Sequence, residues 1–181
     1  MTTETIRRND GTVLCKVDLP PEYDSAPNCI RTGEAVVIAV QKDFPLYDAD
    51  LRNAYLRGAD LQHAVLSGAD LSEAYLREAY MTYAYLEGTN LECTNLCGAT
   101  LQHTALDGAN LRGANLERAD LQGAYLQHAD LRAADFRSAN LKDAHLKGAD
   151  LRAADFLGAN LEGADFEGAN ICFSPNCSAS K

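Results

Sequence analysis

Four histidines, six cysteines and eight tyrosines are the residues of this 181-residue chain best equipped to hold a metal, form disulfides or anchor a partner. Zinc needs three or four imidazole or thiolate ligands converging on one point. The four histidines do not converge: counting by twenty, His63 and His103 share a column two coils apart with Tyr83 between, and His128 and His145 are offset on neighbouring coils. No HExxH, GxSxG, Walker A or GxGxxG pattern accompanies them. They read as unliganded surface residues. Cys93 and Cys97 lie four extended residues apart, beyond the roughly 7 Å that a disulfide spans. Cys15 and Cys29 fall near the N-terminus, and Cys172 and Cys177 form a Cx4C pair whose bridging stays open. Reduced thiols are the expectation. Neither catalytic residues, nor a cofactor, nor a metal follows from these groups. The tyrosines are different: Tyr55, Tyr75, Tyr80, Tyr83, Tyr85 and Tyr125 are candidate partner contacts, because grouped exposed aromatics suit protein recognition.

The elements that hold these side chains follow from a period of five. From Leu46 to Ile171 every fifth residue, 26 positions, is a large apolar one. Two residues before each, from Ala49 to Ala169, stands Ala at 22 of 25 positions, with Thr89, Thr94 and Thr104 as the exceptions. Neither a helix nor a strand puts a five-residue repeat on one face, so the chain must bend at each repeat. Four short sides then close a square coil, with the large residue and the Ala pointing inward. Eleven of the 13 glycines sit two residues after the large apolar position, where a tight bend calls for positive φ.

Units such as Ala59-Asp60-Leu61-Gln62-His63, Ala109-Asn110-Leu111-Arg112-Gly113 and Ala149-Asp150-Leu151-Arg152-Ala153 resemble the A(D/N)LXX motif of the pentapeptide-repeat family, over about residues 44–171. The resemblance implies an all-β solenoid: a right-handed quadrilateral parallel β-helix with about 20 residues per coil and about six coils, stacked about 4.8 Å apart. Residues 1–43 lack the repeat and read as an α+β cap. A hairpin runs through Thr5–Arg8 and Thr12–Leu19 around Asn9-Asp10-Gly11. A helix follows from Pro27 to about Lys42, with Ser25 as its cap and Ile30, Val37, Ile38 and Phe44 covering the first coil. Gly33 weakens that helix. Residues 172–181 form a tail too short for the dimerising C-terminal helix seen in some family members, so the uncovered last coil is read as a surface where two copies meet end to end.

Stacking turns the sequence into a surface map. One column reads Asp50, Asp70, Asn90, Asn110, Asp130, Asp150 and Asn170, beside Arg52, Ser72, Glu92, Arg112, Arg132 and Arg152, a self-neutralised ladder. Another reads Val65, Tyr85, Ala105, Tyr125 and His145, and Tyr55 stacks on Tyr75. Two readings of these tyrosines stand: partner contact, or rings that stabilise the stack alone.

The formal charge of −10 argues against direct nucleic-acid binding. No run of eighteen apolar residues exists and Met1–Arg8 is polar, so neither a membrane span nor a secretory leader is expected, and the expected location is cytoplasmic. A filled shaft leaves no cleft for a substrate, which points to a non-enzymatic rod that serves as scaffold or binds an unknown protein partner. The alternative implied by the family is an acidic DNA mimic acting on a type II topoisomerase such as gyrase. The arginines at 52, 57, 77, 112, 132, 137 and 152 interrupt the negative field that this would need.

Overall fold

The computed structural model describes residues 2–171. Each pentapeptide makes one side of a coil and one corner. In the unit around Leu51, the Ala54 amide donates to the Leu51 carbonyl at 3.1 Å, closing a four-residue turn whose third residue, Asn53, has φ 59°. A positive φ at that position is the mark of a type II turn. Three further backbone bonds tie the side to the next coil: Leu51 N–H to Asp70 O at 2.8 Å, Asn53 N–H to Ser72 O at 3.1 Å, and Asp70 N–H to Ala49 O at 2.9 Å. The pattern repeats to the last coil, giving parallel bridges between residues twenty apart at every fifth position, from Asp50↔Asp70 to Asp150↔Asn170. The β character is thus carried by single-residue bridges, four to a coil.

The sides are numbered here by their central residues: first side 46, 66, 86 and onward; second 51, 71, 91; third 56, 76, 96; fourth 61, 81, 101. These residues and the alanines two before them fill the shaft, most of them fully buried from Leu46 to Leu151. Phe136 lies flat on Phe156, ring centroids 5.0 Å apart. The three threonines that replace alanine are also buried, and each hydroxyl donates to a carbonyl of the preceding coil: Thr89 to Leu66, Thr94 to Leu71 and Thr104 to Met81, at 3.1, 2.8 and 2.8 Å. The residue before the central one is mostly half-buried and not free in water, because its side chain braces the corner.

Ahead of the coils stand β1 (Thr2–Arg7) and β2 (Val13–Leu19), an antiparallel pair turning through Gly11 at φ 84°. A short 3-10 turn (Pro21–Tyr23) and helix α1 (Asn28–Gln41) follow. The cap joins the first coil by backbone bonds: Asp50 N–H to Arg7 O at 2.8 Å, Asn9 N–H to Asp48 O at 2.7 Å and Tyr55 N–H to Cys29 O at 2.9 Å. Two expectations for α1 are corrected. Its N-cap position is Pro27, with no side-chain cap bond, so Ser25 does not cap it. The face laid deepest on the coil carries Gly33, Ala35, Val36 and Ala39; Val37 and Ile38 are only partly buried, and Phe44 is exposed. Gly33 explains this: a Cβ there would run into the Tyr55 carbonyl oxygen, so the residue that weakens the helix is the one that lets it approach. The Cys172–Cys177 pair and the tail lie outside the described residues.

Candidate functional site

The outer surface is built from a simple local rule. The residue before each central one is usually Asp or Asn, and its side-chain oxygen accepts the amide two residues on: Asp70 from Ser72 at 3.0 Å, Asn115 from Glu117 at 3.0 Å, Asp135 from Arg137 at 3.1 Å. That amide has no partner in the next coil, so the side chain satisfies a donor the corner would otherwise orphan. On the second and third sides an Arg often follows and doubles the contact. Arg132 donates Nε–H to Asp130 Oδ1 at 2.7 Å and Nη2–H to Oδ2 at 2.5 Å; Arg52 with Asp50, Arg137 with Asp135 and Arg152 with Asp150 form the same fork. The Arg hydrogen bonds hold the carboxyls of Asp50, Asp130, Asp135 and Asp150 below their ordinary value. Asn ladders continue the same columns, as with Asn110 Nδ2 to Asn90 Oδ1 at 2.9 Å.

The rule is broken on three sides. On the third side the bracing position holds Tyr55 and Tyr75; on the first it holds Val65, Tyr85, Ala105, Tyr125 and His145, and on the fourth Tyr80 and Thr100. At the corner between the fourth and first sides His63, Tyr83 and His103 stack as parallel rings, centroids 5.5 and 5.3 Å apart and planes within 8° and 10°. Tyr125 and His145 stack at 4.9 Å. The stack ends over Gly123, where a Cβ would come within 2.6 Å of the His103 ring; His128 covers Gly148 in the same way. Tyr80, Tyr83, Tyr85 and Tyr125 are 41 to 52% exposed.

The six sequence-predicted tyrosines therefore divide. Tyr80, Tyr83, Tyr85 and Tyr125 gather on the fourth and first sides, whereas Tyr55 and Tyr75, 6.2 Å apart and tilted by 37°, lie on the third side with Arg57 and Arg77. The structure adds what residue types alone did not show: three of the four histidines are ring partners of tyrosines. Tyr47, half exposed on the first side, was also missed; its single occurrence outside any aromatic column gave no signal. Cys15, Cys29, Cys93 and Cys97 are free thiols. Near the cap, an open groove of about 360 Å³ runs between α1 and the first coil, lined by Tyr23, Ile30, Gly33, Val37, Tyr55 and Arg57 among others. Glu34 beside Tyr23 raises that phenol above its ordinary value. No helix among the described residues is long and apolar enough to cross a membrane.

The family description of pentapeptide repeats matches eight copies here, over residues 46–82, 79–118, 101–137, 114–152 and 134–171. The chain belongs to the pentapeptide-repeat family. Among solved pentapeptide-repeat structures it is similar to Rfr23 from the cyanobacterium Cyanothece 51142, at 36% identity over 49% of this chain and 60% of that one, TM-score 0.48. The match thus spans less than two thirds of Rfr23. It is also similar to HetL from Nostoc sp. strain PCC 7120, a protein involved in heterocyst differentiation regulation, at 24% identity over 76% of this chain and 93% of that one, TM-score 0.31. QnrB1, a plasmid-mediated fluoroquinolone resistance protein, matches at 18% identity over 66% of this chain and 78% of that one, TM-score 0.27. No curated protein sequence matches the chain.

Proposed function

We propose that this chain is a non-enzymatic, right-handed rod that works as a protein-binding module, with the corner carrying Tyr80, Tyr83, Tyr85 and Tyr125 as its contact surface. The observation behind this reading is a cost. A corner amide braced by Asp or Asn gains a hydrogen bond worth about 1 kcal/mol, and that brace is given up at Tyr55, Val65, Tyr75, Tyr80, Tyr85, Thr100, Ala105, Tyr125 and His145. Ring contact recovers part of the loss at Tyr55 with Tyr75 and at Tyr125 with His145, yet Tyr80 and Tyr85 stand between Asp60 and Thr100 and between Val65 and Ala105, with no ring beside them in their columns. Exposed, unstacked rings that displace a bracing residue suit recognition better than stability. Affinity capture with the full chain tests this: a partner lost on Tyr85→Ala with Tyr125→Ala, and retained on Arg132→Ala, supports the surface; loss on Arg132→Ala alone contradicts it.

End-to-end pairing with a second copy belongs to the same proposal. Leu157 is 74% exposed and Leu161 and Ile171 are each 38% exposed on the last described coil. Sedimentation at high micromolar concentration gives a dimer mass under this reading and a monomer mass against it. The topoisomerase alternative draws support only from the net charge, and the eight arginines of the array interrupt the negative field on two of the four sides. Unchanged gyrase supercoiling at tens of micromolar protein removes it.

A further inference from the structure

The charges of the array are segregated by side. All eight of its arginines, at 52, 57, 77, 112, 118, 132, 137 and 152, fall on the second and third sides. On the fourth and first sides the charged residues of the first four coils after Asp60 are Asp60, Glu87, Asp107 and Asp120, without one Lys or Arg. The first cations there, Lys142 and Lys147, are already paired with Glu162 at 3.3 Å and Glu167 at 2.8 Å. The four carboxylates take their hydrogen bonds from neutral groups: Asp60 from Gln62, Glu87 from Ser67, Asp107 from the Gln127 amide, and Asp120 from Gln102, Gln122 and Asn140. On the Arg-bearing sides Asp50, Asp130, Asp135 and Asp150 are forked by arginine, whereas these four carboxylates have no cation beside them among the described residues.

The rings lie among these uncompensated acids. Tyr80 occupies the same column as Asp60, one coil on, its backbone about 4.8 Å from that of Asp60 along the stack. Tyr85 precedes Glu87 by two residues, and Asp107 follows Glu87 one coil on. Tyr83 cannot offer a ring face, since His63 and His103 cover both of them. Tyr80 and Tyr85, on either side of it in the chain, are half exposed and make no ring contact among the described residues. An acid beside an open aromatic face is the environment a guanidinium prefers, because the plane stacks on the ring while its edge pairs with the carboxylate.

We infer that this corner binds an arginine-bearing segment of a protein partner, one guanidinium on Tyr80 and Asp60 and a second on Tyr85 with Glu87 and Asp107. The inference rests on reading the corner as a docking surface and names what docks. A fluorescent hexa-arginine peptide titrated onto the full chain at about 0.1 M salt tests it, with hexa-lysine and hexa-glutamate alongside. Hexa-arginine binds, hexa-lysine binds several-fold more weakly, and hexa-glutamate does not bind. Tyr80→Leu with Tyr85→Leu, which changes no charge, weakens hexa-arginine about tenfold or more, and Tyr55→Leu with Tyr75→Leu on the Arg-bearing side leaves it unchanged. Circular dichroism identical to the parent confirms that each variant is folded. Equal hexa-arginine affinity for the parent and the Tyr80/Tyr85 variant overturns the inference, since binding then reflects net charge alone. Tyrosine-dependent binding of a proline-rich peptide in place of hexa-arginine also overturns it, while leaving the docking reading of the corner standing.

Discussion

Every fifth residue from Asp48 to Gly168 holds φ between 54° and 73°, and fourteen of those residues carry a side chain. A left-handed conformation costs an L-residue roughly 1 to 2 kcal/mol relative to glycine. Ala133, exposed at φ 56°, gains nothing visible from its methyl group, so Ala133→Gly should stabilise the fold by about 1 kcal/mol, read as a higher thermal midpoint. The Asp–Arg forks make a second prediction. The folded-state pKa of Asp130 is depressed by Arg132, so its contribution is present above the ordinary carboxylate value of 3.8 and is lost as pH falls through the lower folded value. Asp130→Asn keeps the corner brace and loses the fork; its midpoint should sit slightly below the parent from about pH 5 to 7 and converge with it below 3.8. At this scale much was legible in advance. The glycine spacing announced the bends, and counting by twenty placed Tyr83 between His63 and His103. Parallel stacking of those rings was not legible, because side-chain torsions are decided by the neighbouring coils and not by spacing.

The elements obey two different logics. Along the coils, one large and one small inward residue per side leave little slack, and Leu111→Ala in the middle of the shaft should cost about 2 to 5 kcal/mol by chemical denaturation. The regular alternation made this core readable in full. Its three threonines also make sense only in the folded state, where a carbonyl of the coil before receives each hydroxyl. The cap was readable in part. Asp10-Gly11 between apolar-patterned runs marked the hairpin, whereas the inward face of α1 depends on which residue can approach Tyr55, a long-range contact that periodicity does not encode. Gly33→Ala should therefore leave the coils intact while loosening the cap. Hydrogen exchange should show the Tyr55 amide, bonded to the Cys29 carbonyl, losing protection while mid-array amides such as Leu111 keep theirs.

Taken whole, the molecule is a tube whose surface is ordered by residue number in steps of twenty. That ordering puts every arginine of the array on two sides, with Tyr55 and Tyr75, and Tyr80, Tyr83, Tyr85, Tyr125 and the histidines on the other two, a division invisible in the net charge of −10. The sequence allowed the columns to be written out and set Tyr55 and Tyr75 on the face next to that of Tyr85 and Tyr125, whereas the coil places the pair two sides away. Both the docking surface and its arginine preference depend on this map. Nuclear Overhauser contacts on the uniformly labelled protein test it most directly. The map predicts cross-peaks between residues twenty apart throughout the array, Tyr85 with Ala105 and Ala105 with Tyr125 among them, and ring contacts from Tyr83 to both His63 and His103. Cross-peaks at helical spacing within the repeats, or Tyr83 touching neither histidine, would contradict it.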